Sequence, residues 1–405
     1  MLQCSSILSS VRRCACERAS QVRFASTCAG AAPLDGVRVI ELEGLAAAPL
    51  CGMLLADFGA DVVRVDKRDT DAHFATTTLG RGKRTVSLNL KNDGDRQSFL
   101  RLVSKADILI EPYRPMVMER MGLGPDELLE RNPGLIYARM TGWGQFGAQA
   151  HAAGHDINYI AQSGALSLFR RANGSAPLPP VNLLGDFAGG SMNCALGILL
   201  ALYERSRSGR GQVIDAAMID GAVYLSTFVH KLVDMGMWNS DIPGTNLLDT
   251  GAHFYDCYEC KCGGHMAVGS IEPQFYVLLL KGLGLDGDDS GGVFDPKRQL
   301  DPRTWPEARS RMRDVFLERT RDTWTDIFRS EDLADACVNP VLLMHEVGED
   351  AHGRDRGLMQ PVFGAAGQKC EPAPAPRLSR TPALGPRAAP QDSGSDALID
   401  ALWRD

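Results

Sequence analysis

The sequence predicts an α/β protein: an open, parallel, Rossmann-like sheet in a large domain, joined to a smaller α+β domain. Three observations carry this prediction. Residues 36–67, GVRVIELEGLAAAPLCGMLLADFGADVVRVDK, read as strand, helix, strand, and a crossover of that length pairs its strands in parallel. The same β/α alternation continues to about residue 144, as an open α/β sheet requires. Further on, 253–270 alternates like a hairpin and EPQFYVLLLKGLGL is helical.

In order, VRVIEL is β-branched and compact, and so reads as a strand. AAAPLCGMLLADFG has helical composition, with Pro49 tolerable in a first turn and Gly59 as a stop. ADVVRVD is the second strand and TVSLNL (85–90) the third. DRQSFLRLVSKADILIEPY gives a helix and then the strand ADILIE. DELLERNP is a capped helix, and GLIYARMTGWG a strand running into a glycine loop.

Residues 186–207 read as one long helix entered from a short strand, with Asp186 at its N-cap. Its continuous apolar run implies burial on most sides. GQVIDAAMIDGAVYLSTFV adds a strand and a helix. The stretch 284–302 is Gly/Asp-rich and polar, a surface loop, and 371–395 is a Pro-, Ala- and Ser-rich strap. The expected organisation is a leader (1–30), a large α/β domain (33–225), a linker and small domain (226–345), and a C-terminal strap returning to the large domain (346–405).

With 405 residues and 44% apolar content, the chain can build a substantial core. Its net charge of −7 argues against a general nucleic-acid binder. The first thirty residues carry Arg12, Arg13, Arg18 and Arg23 against one acid, Glu17, and six serines. That is the composition of a mitochondrial transit peptide, the plain alternative being a tail without an address. The C-terminal LWRD is no peroxisomal tripeptide. The longest apolar run, Ala195 to Tyr203, is too short to span a bilayer. The seven cysteines beyond the leader are mostly scattered, which fits reduced thiols. CYECKC (257–262) lacks a second ligand pair for zinc and also fits the alternation of a hairpin.

No GxGxxG, GxSxG, Walker A, HExxH or kinase signature occurs. Asp66, at the end of the second strand, is the only prompt toward a ribose. GHDINYIAQSGALS places His155 beside Asp156 before a helix. Asp186 follows in NLLGDFAGG and Glu272 in GSIEPQFY. Each has an ordinary reading: a half-buried histidine, a helix N-cap and a second cap. Arg64, Lys67, Arg68, Arg81, Lys83, Arg84, Arg114 and Arg120 cluster near strand ends. Such groups are usually solvated surface, yet a multi-phosphate ligand requires cations there.

Several blocks follow one another in order: GVRVIELEGLAAAPLCGMLLADFGADVVRVD, LGRGKRTVSLNLK, EPYRPMVMERMGLGP, LIYARMTGWGQFG, AGHDINYIAQSGALS, NLLGDFAGG, SGRGQVIDAAM and AVGSIEPQFY, with DACVNPVL and PAPRLSRTPA toward the C-terminus. Over roughly residues 33–385 they resemble the family III (formyl-CoA transferase-like) group of CoA transferases. The His–Asp pair and IEPQFY point to its racemase branch. That resemblance implies His155 and Asp186 as the two acid/base groups and Glu272 as the hydrogen-bond partner of His155. Asp156 would lend its backbone N–H to the thioester oxygen. Lys67, Arg68, Arg81, Lys83, Arg84, Arg114, Arg120 and Tyr159 would serve the acyl-CoA. It further implies an interlocked homodimer, with the active site where one chain's large domain meets its partner's small domain.

The implied reaction interconverts (R)- and (S)-2-methyl-branched acyl-CoA thioesters through an enolate. It needs no metal and no cofactor, coenzyme A being part of the substrate. In the transferase branch, by contrast, Asp156 would be a nucleophile forming an acyl anhydride. A non-catalytic CoA-binding protein needs only the arginines. Relatives often end in a peroxisomal signal; this chain does not, so the mitochondrial matrix is the expected address. The charged segment typical of the family near the C-terminus is replaced by AAPQDSGSDALID. LVDMGMWNS (232–240) offers Met235, Met237 and Trp238 either to an acyl chain or to core packing.

Overall fold

β1 (Arg38–Leu42) is β-branched and fully internal, and the sheet grows outward from it on both sides. The structure is a computed structural model and describes residues 32–67, 78–287, 291–365, 367, 369–389 and 402–403. The expected leader, Arg68 and part of the 284–302 loop lie outside these residues. Chain contacts divide into two units: one takes the chain up to Ala153, Asp186–Gly221 and the stretch from Met344 onward, the other Gly154–Gly185 and Ala222–Leu343. Residues 154–185, placed by sequence in the 33–225 domain, thus sort with the second unit.

The first unit follows the expected alternation. After β1 come α1 (Ala47–Asp57), β2 (Asp61–Lys67), β3 (Arg84–Leu88), α2 (Asp93–Val103), β4 (Ile108–Glu111), α3 (Pro125–Arg131) and β5 (Ile136–Thr141). The chain then enters the second unit through α4 (Asp156–Gln162). It returns along a π-helix (Leu183–Met192), α5 (Asn193–Ser208) and β6 (Val213–Ala217). The six strands lie in the order β3-β2-β1-β4-β5-β6, all parallel.

Alternate residues of these strands feed two cores. Val39, Val62, Ile110 and Ala138 face α1 and α5. Ile40, Val63, Leu109 and Tyr137 face Phe99, Val103, Leu123 and Leu128 on the other side. Each such side chain contributes about 1.5–3 kcal/mol by leaving water, which explains why both strand faces are apolar. Leu402 and Trp403 return to close the second of these cores, with Trp403 Nε1 donating to Asp61 Oδ2 at 2.9 Å. The strap lies along the same unit. Leu384 N donates to Asp57 O (2.8 Å), and the Arg387 guanidinium to Ala56 O (2.8 Å).

Residues 183–208 depart from the expected strand and single helix. No strand precedes Asp186; the segment is π-helical before it becomes α5. Gly185 leaves room for the Asp156 carboxylate against this segment, and Ser191 Oγ donates to Asp186 O (3.0 Å) and Ala47 O (2.7 Å). A hydroxyl competing for main-chain carbonyls favours such irregular turns. Asp186 is therefore no N-cap. Nor is α5 buried on most sides: it packs on β5 and β6 through Cys194, Ile198 and Ala201, while Leu196, Leu199, Leu200 and Tyr203 stay exposed. Together the two helical segments run 26 residues, long and apolar enough by length and composition to cross a membrane.

β6 leads into α6 (Met218–Leu225) and α7 (Thr227–Asp234). The second unit's sheet is the expected hairpin, β7 (Tyr255–Glu259) against β8 (His265–Gly269). α8 (Pro273–Leu283), α9 (Trp305–Phe316) and α10 (Arg321–Phe328) pack on it, and β9 (Val338–Pro340) pairs with β8. Its core is aromatic, built on Phe254, Tyr276, Trp305, Phe316 and Trp324. The seven described cysteines are all free thiols. Among the described residues, no group of three His, Cys, Asp or Glu side chains is arranged to hold a metal, and Cys257 to Cys262 form part of the hairpin.

Candidate active site

The order of the six-stranded sheet reverses between β1 and β4, and ligands of open α/β sheets bind beyond the carboxyl ends of strands at such a point. The two loops meeting there are unusually close. A methyl group on Gly44 would lie 2.9 Å from the ring of Pro112. Each loop also holds a non-glycine residue in the left-handed region, Ala46 (φ 45°) and Met116 (φ 68°). Such backbone is sterically costly and persists where the surroundings over-determine it.

The carboxylate of Glu111 closes β4 in full burial. Burial pushes it up to about 7, against the opposing pull of Arg139 (Nε to Oε2, 3.2 Å) and of the Tyr113 N–H (2.6 Å). The phenol of Tyr113 is likewise pushed up to about 12 by burial, assisted by Glu43. Neither Glu111 nor Arg139 was singled out from sequence, although an acid inside the apolar run ILIE is a visible anomaly.

The predicted cations divide into two groups. Lys83 is buried, donating to Glu41 Oε2 and Pro49 O, both at 2.7 Å. Burial raises the Glu41 carboxyl and lowers the Lys83 amine, each partly offset by the other's charge. Arg81 holds Asp57 (2.6 Å) and Pro372 O (2.9 Å), and Arg84 pairs with Asp61. Arg64 pairs with Asp66 inside the sheet. Arg81, Lys83 and Arg84 were all expected at coenzyme A; the structure engages Arg81 and Lys83 inward, because buried carboxylates on neighbouring elements lie within ion-pair reach, whereas Arg84 pairs with Asp61 where both are partly exposed. Lys67, Arg114 and Arg120 remain exposed on this unit.

In the second unit, His155 is the N-cap of α4, with extended backbone and an exposed side chain. Its N–H donates to Asn158 Oδ1 at 3.0 Å, so an asparagine closes the turn. Asp156 opens the helix with its carboxylate buried. The side chain lies against Gly185, where a methyl group would stand 2.6 Å from Oδ1. Tyr159, also buried, donates its hydroxyl to Gly154 O, bracing the loop ahead of His155. The first turn thus turns its imidazole outward and its carboxylate inward. Asp186, the residue after Gly185, sits half-buried in the π-helix.

Glu272 is the N-cap of α8, as its ordinary reading expects, but its side chain makes no cap hydrogen bond. Among the described residues it makes none to His155 either, although both belong to the second unit. Met235 and Met237 are exposed (66% and 63%), which excludes core packing for both. Trp238 lines a cavity of about 210 Å³ together with Ser163, His230 and Asn239.

A doubly wound sheet with exposed cations at its strand ends is the architecture of an α/β ligand-binding or catalytic domain, and the second unit adds an outward histidine and a rigidly seated aspartate. The sequence matches the CoA-transferase family III over residues 34–396, and the chain belongs to that family. It is 48% identical to the α-methylacyl-CoA racemase of Mus musculus, covering 91% of this chain and 92% of the relative. Identity to the human α-methylacyl-CoA racemase is 47%, over 87% and 88% of the two chains. A solved structure of Rv3272 from Mycobacterium tuberculosis superposes with a TM-score of 0.71 at 26% identity, covering 89% of this chain and 97% of that one.

Proposed function

We propose that this chain interconverts (R)- and (S)-2-methyl-branched acyl-CoA thioesters, the substrate class named in its mouse and human relatives. For one enantiomer, neutral His155 removes the α-proton, and the C–H electron pair passes into the thioester as an enolate. Protonated Asp186 then delivers a proton to the opposite face, and the pair returns to the α-carbon. For the other enantiomer the roles reverse. Groups able to act as either acid or base near neutrality suit this two-way traffic. A preorganised N–H donor to the enolate oxygen contributes about 3–4 kcal/mol; the N–H of Asp156, in the first turn of α4, takes that role. The route requires neither metal nor flavin nor pyridoxal.

The observation that carries this reading is the contact between Asp156 and Gly185. His155 precedes the one and Asp186 follows the other in the chain, so this contact holds the backbone next to each proposed acid/base residue. A buried Asp156 carboxylate also suits a structural seat better than an attacking nucleophile. Glu272 orients the imidazole of His155, supplied by the partner's small domain in a homodimer. The partner covers the exposed stripe Leu196, Leu199, Leu200 and Tyr203, whose i, i+3, i+4, i+7 spacing is that of a packed helix face rather than of a membrane span. Lys67, Arg68, Arg114 and Arg120 hold the phosphates, and Met235 and Met237 offer a flexible apolar surface for the acyl chain. The leader directs the chain to the mitochondrial matrix.

Incubation in D₂O tests this. Protein lacking residues 1–30 should place deuterium on the α-carbon of both enantiomers of a 2-methylacyl-CoA, and His155→Ala or Asp186→Ala should abolish it. Absence of label, with CoA transferred to an added carboxylic acid and lost in Asp156→Ala, overturns the racemase in favour of the transferase.

A further inference from the structure

Glu272 presents an exposed side chain that takes no part in capping its helix. The backbone that carries it is, by contrast, held from several directions. Gln299, at the end of the 284–302 loop and 3% exposed, directs both N–H bonds of its amide at consecutive carbonyls, Ser270 O (3.0 Å) and Ile271 O (2.8 Å). Its own carbonyl accepts from Trp305 Nε1 (2.8 Å), which anchors the loop to α9. Ser270 Oγ donates to Ala336 O (2.6 Å) and Ser270 N to Phe254 O (3.0 Å). One turn into α8, the hydroxyl of Tyr276 meets His253 Nε2 at 2.7 Å.

Gln299, Ser270, Tyr276 and His253 are buried and Ile271 is half-buried; leaving a buried polar atom unsatisfied is costly, so the network fixes one arrangement of residues 270–272. An ordinary surface glutamate needs no such mounting. A carboxylate that must meet a second group at defined distance does, because a displacement of about 1 Å costs on the order of a hundredfold in rate.

We propose that Gln299 is a positioning residue for α-proton transfer: its amide fork fixes the peptide ahead of Glu272 and so aims that carboxylate. The inference rests on the role given above to Glu272 as the partner of the catalytic imidazole. It also gives the 284–302 loop a function that its polar composition conceals.

A double-mutant cycle on α-deuterium exchange separates the two ideas. Gln299→Met keeps the volume and removes both donors. It should lower kcat about tenfold to a hundredfold, leave KM for the acyl-CoA unchanged, and cause no further loss in a Glu272→Ala background. Gln299→Asn, too short to span both carbonyls, should reproduce the kcat loss, and it carries the cycle if the methionine variant does not fold. Wild-type exchange by Glu272→Ala removes the role of Glu272 and this proposal with it. An impaired Glu272→Ala beside a fully active Gln299 variant, or losses that multiply in the double variant, overturns the proposal alone.

Discussion

The carboxylate of Asp156 and the Cα of Gly185 approach so closely that a β-carbon on the glycine would stand 2.6 Å from Oδ1. The start of α4 and the entry to the π-helix are therefore one packed unit, with no room between them. Gly185→Ala should displace Asp156 and the helix start with it. Overpacking of this kind costs about 1–3 kcal/mol, and α-proton exchange should fall about tenfold or more. Thermal melts and deuterium incorporation on the same preparation read both effects; full activity in this variant refutes the seat assigned to Asp156.

Lys83 and Glu41 form a buried pair whose halves depend on each other. Lys83→Met alone leaves the Glu41 carboxylate uncompensated and should cost about 3–5 kcal/mol. Adding Glu41→Gln should restore much of it, which urea midpoints at constant m would record. Equal loss in the single and double variants would place Lys83 in a different role.

Glu111 gives stability an acid-favoured component. Its folded pKa of about 7 lies above that of the unfolded chain. The folded state therefore keeps a proton that the unfolded state has already lost. That contribution is full below the unfolded pKa of about 4.3 and fades as pH rises through about 7. Glu111→Gln should gain on the wild type between pH 5 and 8, roughly the window these values set. A constant difference across that range would show that Glu111 does not titrate there.

His253 works in the opposite sense. Burial holds its imidazole down near 3, with the charge of Arg309 adding to the effect. The unfolded chain takes up a proton near pH 6.5, so this contribution is present above that value and is lost as pH falls toward 3. His253→Phe should weaken the acid sensitivity of unfolding over that interval, measured by urea titration at successive pH values.

The stripe on α5 should behave as an interface. Leu200→Glu adds charge to a face with Leu196 and Tyr203 beside it, and should convert a dimer to monomers in light scattering. Exchange activity should disappear with the dimer, because Glu272 is assigned to the partner's site. An active monomer would contradict that assignment.

The parallel sheet was legible because its strands are buried on both faces and its helices repeat at crossover length. The hairpin 255–269 was legible through its period of two. Local periodicity also placed Glu272 at a helix start. The π-helix was not readable, since DFAGGSMNCALGILL carries a helical pattern whether its turns are tight or wide; the contacts of Gly185 with Asp156 and of Ser191 with Ala47 O come from residues distant in sequence. The inward cations were missed for a related reason. RGKR looks like surface charge until Asp57, Glu41 and Asp61 arrive from other elements. Gln299 left no signal at all, because a single glutamine in a polar loop gains its meaning only from the carbonyls it meets.

The core of the first unit closes on Leu402 and Trp403, which follow the whole of the second unit in the chain. During synthesis that core therefore stays incomplete until residues 402 and 403 have left the ribosome. The hairpin and helices between Ala222 and Leu343 emerge whole while the parallel sheet still waits for its plug. A chain truncated ahead of Leu402 would then carry an open hydrophobic seat, a ready substrate for chaperones and proteases.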